Sequence, residues 1–297
     1  MAAPYVIVVL AGDSNCGSGD FADAAYDVTN NHVFQLKRDL KTVQVAPAFL
    51  DNQGMGATQV GSTVALCNLL DLRGHRPPGY DILICPMGLA GTAFLNYWAT
   101  TGTRYALDGG KGISPGLYGM VNAALALDSR NRIWFFDWNH GYNETGPAGT
   151  QYAYTANMIA TWGEIRSTVA TAARAPLLVT GGPPDFYNIV HLAPLGVIAA
   201  QIDSPNYLDS CAYVDPTDRV SMVGAYPPTA AIVAASGGPT ILHSYHPNNN
   251  YIHFCAAAHR GGIDNSPSNV GENVLYPLSE RKYTALLKLG WRMRASW

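Results

Sequence analysis

Two nearly uninterrupted apolar runs constrain the fold of this chain more than any other feature. DILICPM (81–87) and RIWFFDW (132–138) lack the alternation of apolar and polar residues that marks a strand with one wet face. Runs of this kind are typical of parallel strands that helices cover on both sides. Shorter apolar runs predict four further strands, at residues 5–10, 43–50, 176–180 and 211–214.

Helical patterns lie between these strands. Apolar residues recur at helical spacing over 58–72, 151–174 and 279–289, and Ser114-Pro115 is typical of a helix start. Strands that alternate with helices predict a three-layer α/β/α fold around a mostly parallel, doubly wound sheet. We expect residues 1–297 to form one domain, with long loops at about 226–250 and 259–276.

The composition excludes several classes of function. Charged residues make up only 13% of the chain and the net charge is −3, so the clustered Lys and Arg that bind nucleic acid are not expected. No stretch approaches the roughly 18–20 apolar residues of a membrane helix. The run at 5–10 follows no basic residue, so we expect neither a signal peptide nor a membrane segment in this chain. Low charge suits a protein that works extracellularly or in a viral or surface assembly.

The cysteines give no sign of a metal site. They are odd in number and scattered, and none forms a Cys-x-x-Cys pair: Cys16, Cys67, Cys85, Cys211 and Cys255. This pattern predicts neither a disulfide framework nor a zinc site, and we expect no metal or other cofactor.

Three polar motifs follow predicted strands: AGDSNCG with Ser14, GLAGTAF with Gly91 and WNHGYNE with Asn143. The carboxyl ends of parallel strands meet at one edge of the sheet, so we expect these loops to converge. Ser14 lies in a glycine-flanked turn, where a hydroxyl can project and backbone N–H groups can face an anion. The Gly91 N–H and the Asn143 amide can stabilise an oxyanion, although both residues are also common in ordinary turns.

A serine nucleophile needs a general base within hydrogen-bonding reach. In this topology, the loop before the last helix returns to the end of the first strand. That placement favours a histidine among His243, His246, His253 and His259.

The motifs, taken in order, resemble a known superfamily. AGDSN (11–15), GYNE (141–144) and a late histidine are similar to the SGNH/GDSL hydrolases. The segments 53–70 and 81–98, followed by Trp138, most resemble carbohydrate esterase family six and the sialate O-acetylesterase group. The resemblance spans roughly residues 6–253 and the last helix, and it implies an SGNH-type, flavodoxin-like sheet.

The resemblance also implies roles for individual residues. Ser14 corresponds to the nucleophile, Gly91 and Asn143 complete an oxyanion hole with the Ser14 amide, and His253 in NYIHF corresponds to the base. The implied reaction is hydrolysis of a small acyl ester, most naturally an O-acetyl group on a carbohydrate. It proceeds through an acyl-enzyme and requires no metal.

One departure concerns the residue that orients the base. The group has Asp three residues before its histidine, where this chain has Asn250. An amide does not stabilise an imidazolium as a carboxylate does, and this exchange costs about 10⁴ in turnover in a serine protease. A backbone carbonyl can take over the role, as can one of three carboxylates: Asp264, Glu144 or Asp185.

The base and the oxyanion glycine each have a second candidate in the sequence. His246, in HPN, can serve as the base in place of His253, and Gly54 or Gly56 can replace Gly91 in the oxyanion hole. The third motif has His-Gly-Tyr where the group has Gln-Gly-Glu.

Two other functions fit the same scaffold. One is a weak or inactive glycan-binding or structural module whose triad has decayed at Asn250, and the other is a lipase or thioesterase. Trp98 and Trp138, near the predicted loops, suit sugar stacking, but core packing explains them equally well.

Overall fold

A computed structural model of the chain describes residues 3–17, 25–53, 60–141, 144, 150–181, 195–216, 262–264, 272–274 and 277–289. In these residues, the main sheet contains β1 (Tyr5–Gly12), β2 (Val33–Leu36), β3 (Val43–Val45), β4 (Asp81–Gly88), β5 (Arg132–Asn139), β6 (Leu177–Thr180) and β7 (Cys211–Val214). The strand order is β3-β2-β4-β1-β5-β6-β7, and every neighbouring pair is parallel except β2 with β3. The first strand therefore lies inside the sheet, between β4 and β5.

The burial of β1 explains its apolar sequence. Every residue of β1 after Tyr5 is buried. Ile7 and Val9 belong to the hydrophobic core on one face of the sheet, whereas Val6 and Val8 belong to the core on the other. Because successive side chains of a strand point to opposite faces, a strand covered on both sides must be apolar throughout.

Helices cover both faces of the sheet. They are α1 (Ser62–Leu72), α2 (Tyr105–Asp108), α3 (Leu117–Ala126), α4 (Gln151–Thr168), α5 (Leu195–Ile202), α6 (Ser204–Tyr207) and α7 (Leu278–Lys288). Side chains of α3, α4 and α5 pack in the core that contains Ile7, and side chains of α1 and α7 pack in the core that contains Val8. The prediction of a three-layer α/β/α fold with a mostly parallel, doubly wound sheet is confirmed.

The edge of the sheet differs from the sequence prediction. The run at 43–50 forms only the three-residue strand β3, which is antiparallel to β2. Pro47 follows soon after β3, and proline has no backbone N–H with which to continue a ladder. The strand β2, with the sequence VFQL, was not predicted, because Gln35 interrupts its short apolar run.

Helix boundaries also shift. The described part of the 58–72 window becomes helical at Ser62, and α3 begins at Leu117, after Gly116 rather than at Ser114-Pro115. The predicted helix at 151–174 ends at Thr168, because Val169 is extended and Thr171 has a positive φ of 66°.

The last part of the chain is described only in segments. Gly262–Asp264 (β8) and Glu272–Val274 (β9) pair as an antiparallel ladder within the predicted loop at 259–276, and the loop at 226–250 lies outside the described residues. The single-domain organisation stays a prediction. Of the helices in the described ranges, none is both long and apolar enough to cross a membrane.

Candidate active site

Ser14 lies at the carboxyl end of the central strand. The chain leaves β1 at Gly12 and enters a short 3₁₀ helix, Ser14–Cys16, closed by hydrogen bonds from Cys16 N to Asp13 O (3.2 Å) and from Gly17 N to Ser14 O (3.2 Å). Ser14 is partly exposed, whereas Asp13 and Cys16 are buried. The Ser14 turn (residues 13–17) therefore presents one hydroxyl at the edge where ligands bind in open α/β sheets.

Gly12 lets this turn lie directly against β5. Its φ of +137° is strained for residues with a side chain, and a Cβ there would lie 1.8 Å from Asn139 O. The close approach allows Asp13 N to donate to Asn139 O at 2.7 Å. Only glycine fits this position, and the close contact fixes the position of the Ser14 turn against the end of β5.

The buried Asp13 side chain makes a second connection to the end of β5. Its Oδ2 accepts a hydrogen bond from Gly141 N at 3.1 Å. A carboxylate that accepts a backbone N–H fixes the loop that supplies the donor. The predicted convergence of the Ser14 loop with the loop that follows β5 is therefore seen in the structure.

Gly91 lies in the loop that leaves β4 on the other side of β1. Leu89 N donates to Gly12 O at 3.0 Å, so this loop starts level with the Ser14 turn. Gly91 is exposed with a φ of +72°, and a Cβ there would meet nothing within 4 Å. Its glycine requirement is therefore conformational, and the open space leaves room for a ligand beside its backbone.

Asn52 and Gln53 brace the Gly91 loop, a role that the sequence did not reveal. Asn52 Oδ1 accepts from Gly88 N at 2.9 Å, Gln53 N donates to Gly88 O at 3.0 Å and Gln53 O accepts from Ala90 N at 3.1 Å. These contacts hold the start of the loop from the side away from β1.

Two buried polar side chains, Glu144 and His140, hold the other end of the Gly91 loop. Glu144, 1% exposed, accepts a hydrogen bond from Phe94 N through Oε1. His140, fully buried, contacts Thr92 O through Nε2 at 3.1 Å. The carbonyl can only accept, so Nε2 carries the proton of a neutral imidazole. The loops after β4 and β5 are thus fastened together.

Burial shifts the pKa values of both groups. It raises the pKa of Glu144 to about 7, with a further contribution from the negative charge of Asp13, against the hydrogen bond from Phe94 N. Burial lowers the pKa of His140 to about 3. Oε2 of Glu144 has no hydrogen-bond partner in the part of the chain that the structure describes. The lowered pKa keeps His140 neutral, and the raised pKa of Glu144 favours a proton on its carboxyl group below pH 7.

The two tryptophans that suited sugar stacking belong to the core. Trp98 and Trp138 are both 0% exposed, and their rings meet edge to face with centroids 4.9 Å apart. Phe94 and His140 complete the same aromatic cluster, with His140 stacked on Trp138 at 4.9 Å. The core-packing interpretation of these residues is the correct one, because neither ring reaches the surface.

The structure joins the three loops that carry Ser14, Gly91 and Glu144 through hydrogen bonds at the carboxyl ends of β1, β4 and β5. The other predicted site residues lie outside the described residues: Asn143, Asn250, His253, the alternative bases His243, His246 and His259, and also Gly54, Gly56 and Asp185. Asp264 is described only as a backbone position in β8. The assignments of the base and of the third oxyanion donor therefore stay predictions.

Within the described segments, no group of three or more His, Cys, Asp or Glu side chains could hold a metal ion. Four of the five cysteines are described, and they are separate, buried thiols: Cys16, Cys67, Cys85 and Cys211.

The arrangement of the strands and loops matches that of known structures. NanS superimposes over 99% of this chain and 100% of its own, with a TM-score of 0.66 at 17% sequence identity. The chain shares the fold of NanS. At 17% identity the likeness concerns the fold alone. It confirms the fold that the resemblance to the SGNH/GDSL hydrolases predicts.

Two further solved structures are similar over most of this chain. A protein from Arabidopsis thaliana matches 73% of this chain and 87% of its own, with 17% identity and a TM-score of 0.52. A carbohydrate acetylesterase from Xanthomonas citri matches 71% of this chain and 49% of its own, with 13% identity and a TM-score of 0.45. No protein-family model and no curated protein sequence matches the chain.

Proposed function

We propose that the protein is a serine esterase that removes small acyl groups, above all O-acetyl groups from a carbohydrate. The observation that carries the proposal is the place of Ser14, at the carboxyl end of the central strand and between the loops that follow β4 and β5. The shared fold with NanS supports it, and so does the ordered set of sequence motifs.

The Ser14 hydroxyl acts as the nucleophile. Its Oγ attacks the ester carbonyl while His253 takes the proton, which forms a tetrahedral oxyanion. The N–H groups of Ser14 and Gly91 and the side-chain amide of Asn143 stabilise this oxyanion, and each such donor is worth about 10²–10³ in turnover. When the C–O bond breaks, His253 returns the proton to the sugar oxygen and leaves an acetyl group on Ser14.

Water completes the reaction at the same centre. His253 removes a proton from a water molecule, whose oxygen attacks the acetyl carbonyl of the acyl-enzyme. A second tetrahedral oxyanion collapses, the proton passes to Ser14 Oγ, and acetate leaves. Glu144 holds the Gly91 loop through Phe94 N, so we assign the orientation of His253 to Asp264, Asp185 or a backbone carbonyl instead.

The sugar specificity rests on the resemblance seen in the sequence. Acetylated carbohydrates are therefore the proposed substrates, and acetyl esters are expected to react faster than esters with acyl chains longer than about four carbons. A preference for long acyl chains would favour the lipase or thioesterase alternative.

The experiment compares p-nitrophenyl acetate, butyrate and octanoate, followed by acetate release from an acetylated glycan. Hydrolysis of the acetyl ester that disappears in Ser14→Ala supports the proposal. Glycan binding that is equal in both proteins, with no acetate released by either, would instead indicate a binding module on the same scaffold.

A further inference from the structure

A completely buried ion pair lies below the Ser14 turn. Nζ of Lys282, on α7, is 2.7 Å from Oδ1 and 2.8 Å from Oδ2 of Asp137, on β5, and both side chains are 0% exposed. Removal of two charges from water is costly, and a buried pair is often replaceable by apolar residues without loss of stability. Stability alone is therefore a weak explanation for this pair.

Neutral polar groups form hydrogen bonds with both members of the pair. Lys282 Nζ also donates to Ser62 Oγ at 2.7 Å and to Asn139 Oδ1 at 3.4 Å. Asp137 accepts from Thr63 Oγ1 at 2.8 Å and from Asn139 Nδ2 at 3.2 Å. All three N–H donors of the ammonium thus have acceptors, and the network joins β5, α1 and α7 at one point.

One member of this network, Asn139, touches the Ser14 turn directly, and so does Gly61, the neighbour of its member Ser62. The side chain of Asn139 bridges Lys282 and Asp137. Its backbone oxygen accepts hydrogen bonds from Asp13 N at 2.7 Å and from the Cys16 thiol at 3.8 Å. On the other side, Gly61 precedes Ser62 at the start of α1, and a Cβ on it would lie 2.2 Å from Cys16 O. Both backbone segments that support the turn are therefore fixed by the same ion pair.

We infer that Lys282 and Asp137 are positioning residues for Ser14, an inference that rests on the proposed role of Ser14 as the nucleophile. The pair fixes Asn139 and the first turn of α1. These two segments together set the position of the Ser14 turn, and with it the position of the Ser14 hydroxyl. A displacement of a reacting group by about 1 Å can cost a hundredfold in rate. Loss of the pair thus slows the chemical step without weakening substrate binding.

The test separates position from stability. We would replace the pair with apolar residues, Lys282→Met together with Asp137→Leu, and measure urea unfolding, kcat and KM for p-nitrophenyl acetate, and the rate of Ser14 labelling by a fluorophosphonate. The double variant is expected to unfold at a urea concentration close to that of the wild type. Its kcat and labelling rate should fall about tenfold to a hundredfold, with KM within about twofold.

A milder variant and a matched control complete the test. Thr63→Val removes one hydrogen bond to Asp137 and leaves the charges in place, so a smaller fall in kcat of about threefold to tenfold is expected, again at constant KM. Met120→Ala destabilises α3, also on the opposite face of the sheet, and should leave kcat unchanged.

The inference is wrong if the double variant keeps the wild-type kcat, or if Met120→Ala lowers kcat as much as the double variant does. These results differ from a failure of the proposed function. In that case the wild type itself hydrolyses no ester and takes up no label at Ser14.

Discussion

The two sides of β5 support the candidate site by different physical means. Toward α4, Trp138 and His140, two residues apart, lie in a neutral aromatic cluster with Phe94. The ring centroids of this cluster are 4.9–5.6 Å apart. Toward α1 and α7, Asp137 and Asn139 lie in a charged network around Lys282. We call these the aromatic side and the charged side.

The comparison shows how one strand can brace two loops at once. Alternate residues of a strand point to opposite faces, so a stretch of four residues supplies both kinds of support. Apolar packing loses energy in proportion to the volume removed, whereas a buried ion pair fails when either charge is left alone. The two sides should therefore respond differently to single and paired substitutions.

The largest effect is expected on the charged side. Lys282→Met alone leaves Asp137 buried without its counter-ion and should lower the free energy of unfolding by about 3–5 kcal/mol. Addition of Asp137→Leu removes the stranded charge and should recover most of that loss. Urea unfolding of the two variants measures both quantities, and a double variant that is less stable than the single one would refute the comparison.

The aromatic side should show no such recovery. Trp138→Leu is expected to cost about 2–3 kcal/mol, because it opens a cavity against Phe94 and His140. A second substitution, Phe94→Leu, enlarges the cavity and should destabilise the protein further. Recovery of stability in this double variant would show that the two sides do not differ in kind.

Glu144 gives a pH-dependent test at the boundary between the two loops. An unfolded Glu has a pKa of 4.5, whereas burial raises the pKa of Glu144 to about 7. Between these values the folded protein holds a proton that the unfolded chain has lost, so the contribution of Glu144 to stability falls as pH rises from 4.5 to 7. His140 acts in the opposite direction, because burial lowers its pKa from 6.5 to about 3 and stability rises with pH over that window.

Replacement of the Glu144 carboxyl group separates the pH dependence of stability due to Glu144 from that due to His140. Glu144→Gln mimics the protonated acid, so it should match the wild type near pH 4.5 and be more stable above pH 7, by on the order of 1–2 kcal/mol. Between pH 4.5 and 6.5 the variant should keep the rise in stability due to His140 and lack the fall due to Glu144. Thermal unfolding at several pH values measures the difference, and a gap that does not change with pH would contradict the assignment.

The smallest effect is expected where the ion pairs are partly exposed to water. Arg104 bonds Glu164 at 2.6 Å and Asp108 at 2.9 Å, with 23% of the arginine side chain exposed. Arg104→Met should cost about 1 kcal/mol or less, and the cost should shrink further in high salt. A loss as large as that of Lys282→Met would mean that burial does not account for the behaviour of the charged side.

The sequence predicted the centre of the fold better than its edge. The strands β1, β4 and β5 were predictable because their runs are long and apolar, while the short run of β2 is interrupted by Gln35. The Ser14 turn was predictable for a local reason, since glycines and a serine directly follow a buried strand.

The supports of the site were much harder to predict. Lys282 and Asp137 are 145 residues apart, and neither carries a local motif. One signal was present, because an aspartate inside the apolar run RIWFFDW needs a buried partner. The sequence alone did not reveal which of the 18 Lys and Arg residues supplies it, since that choice depends on how α7 packs against the sheet.

The central claim is that Ser14 is an activated nucleophile. The most direct measurement is labelling of the native protein with a fluorophosphonate, followed by tryptic mapping. The label should appear on the peptide that ends at Lys37, which contains Ser14 and Ser18, and it should vanish in Ser14→Ala but persist in Ser18→Ala. A label on a different peptide, or ester hydrolysis that survives Ser14→Ala, would contradict the account.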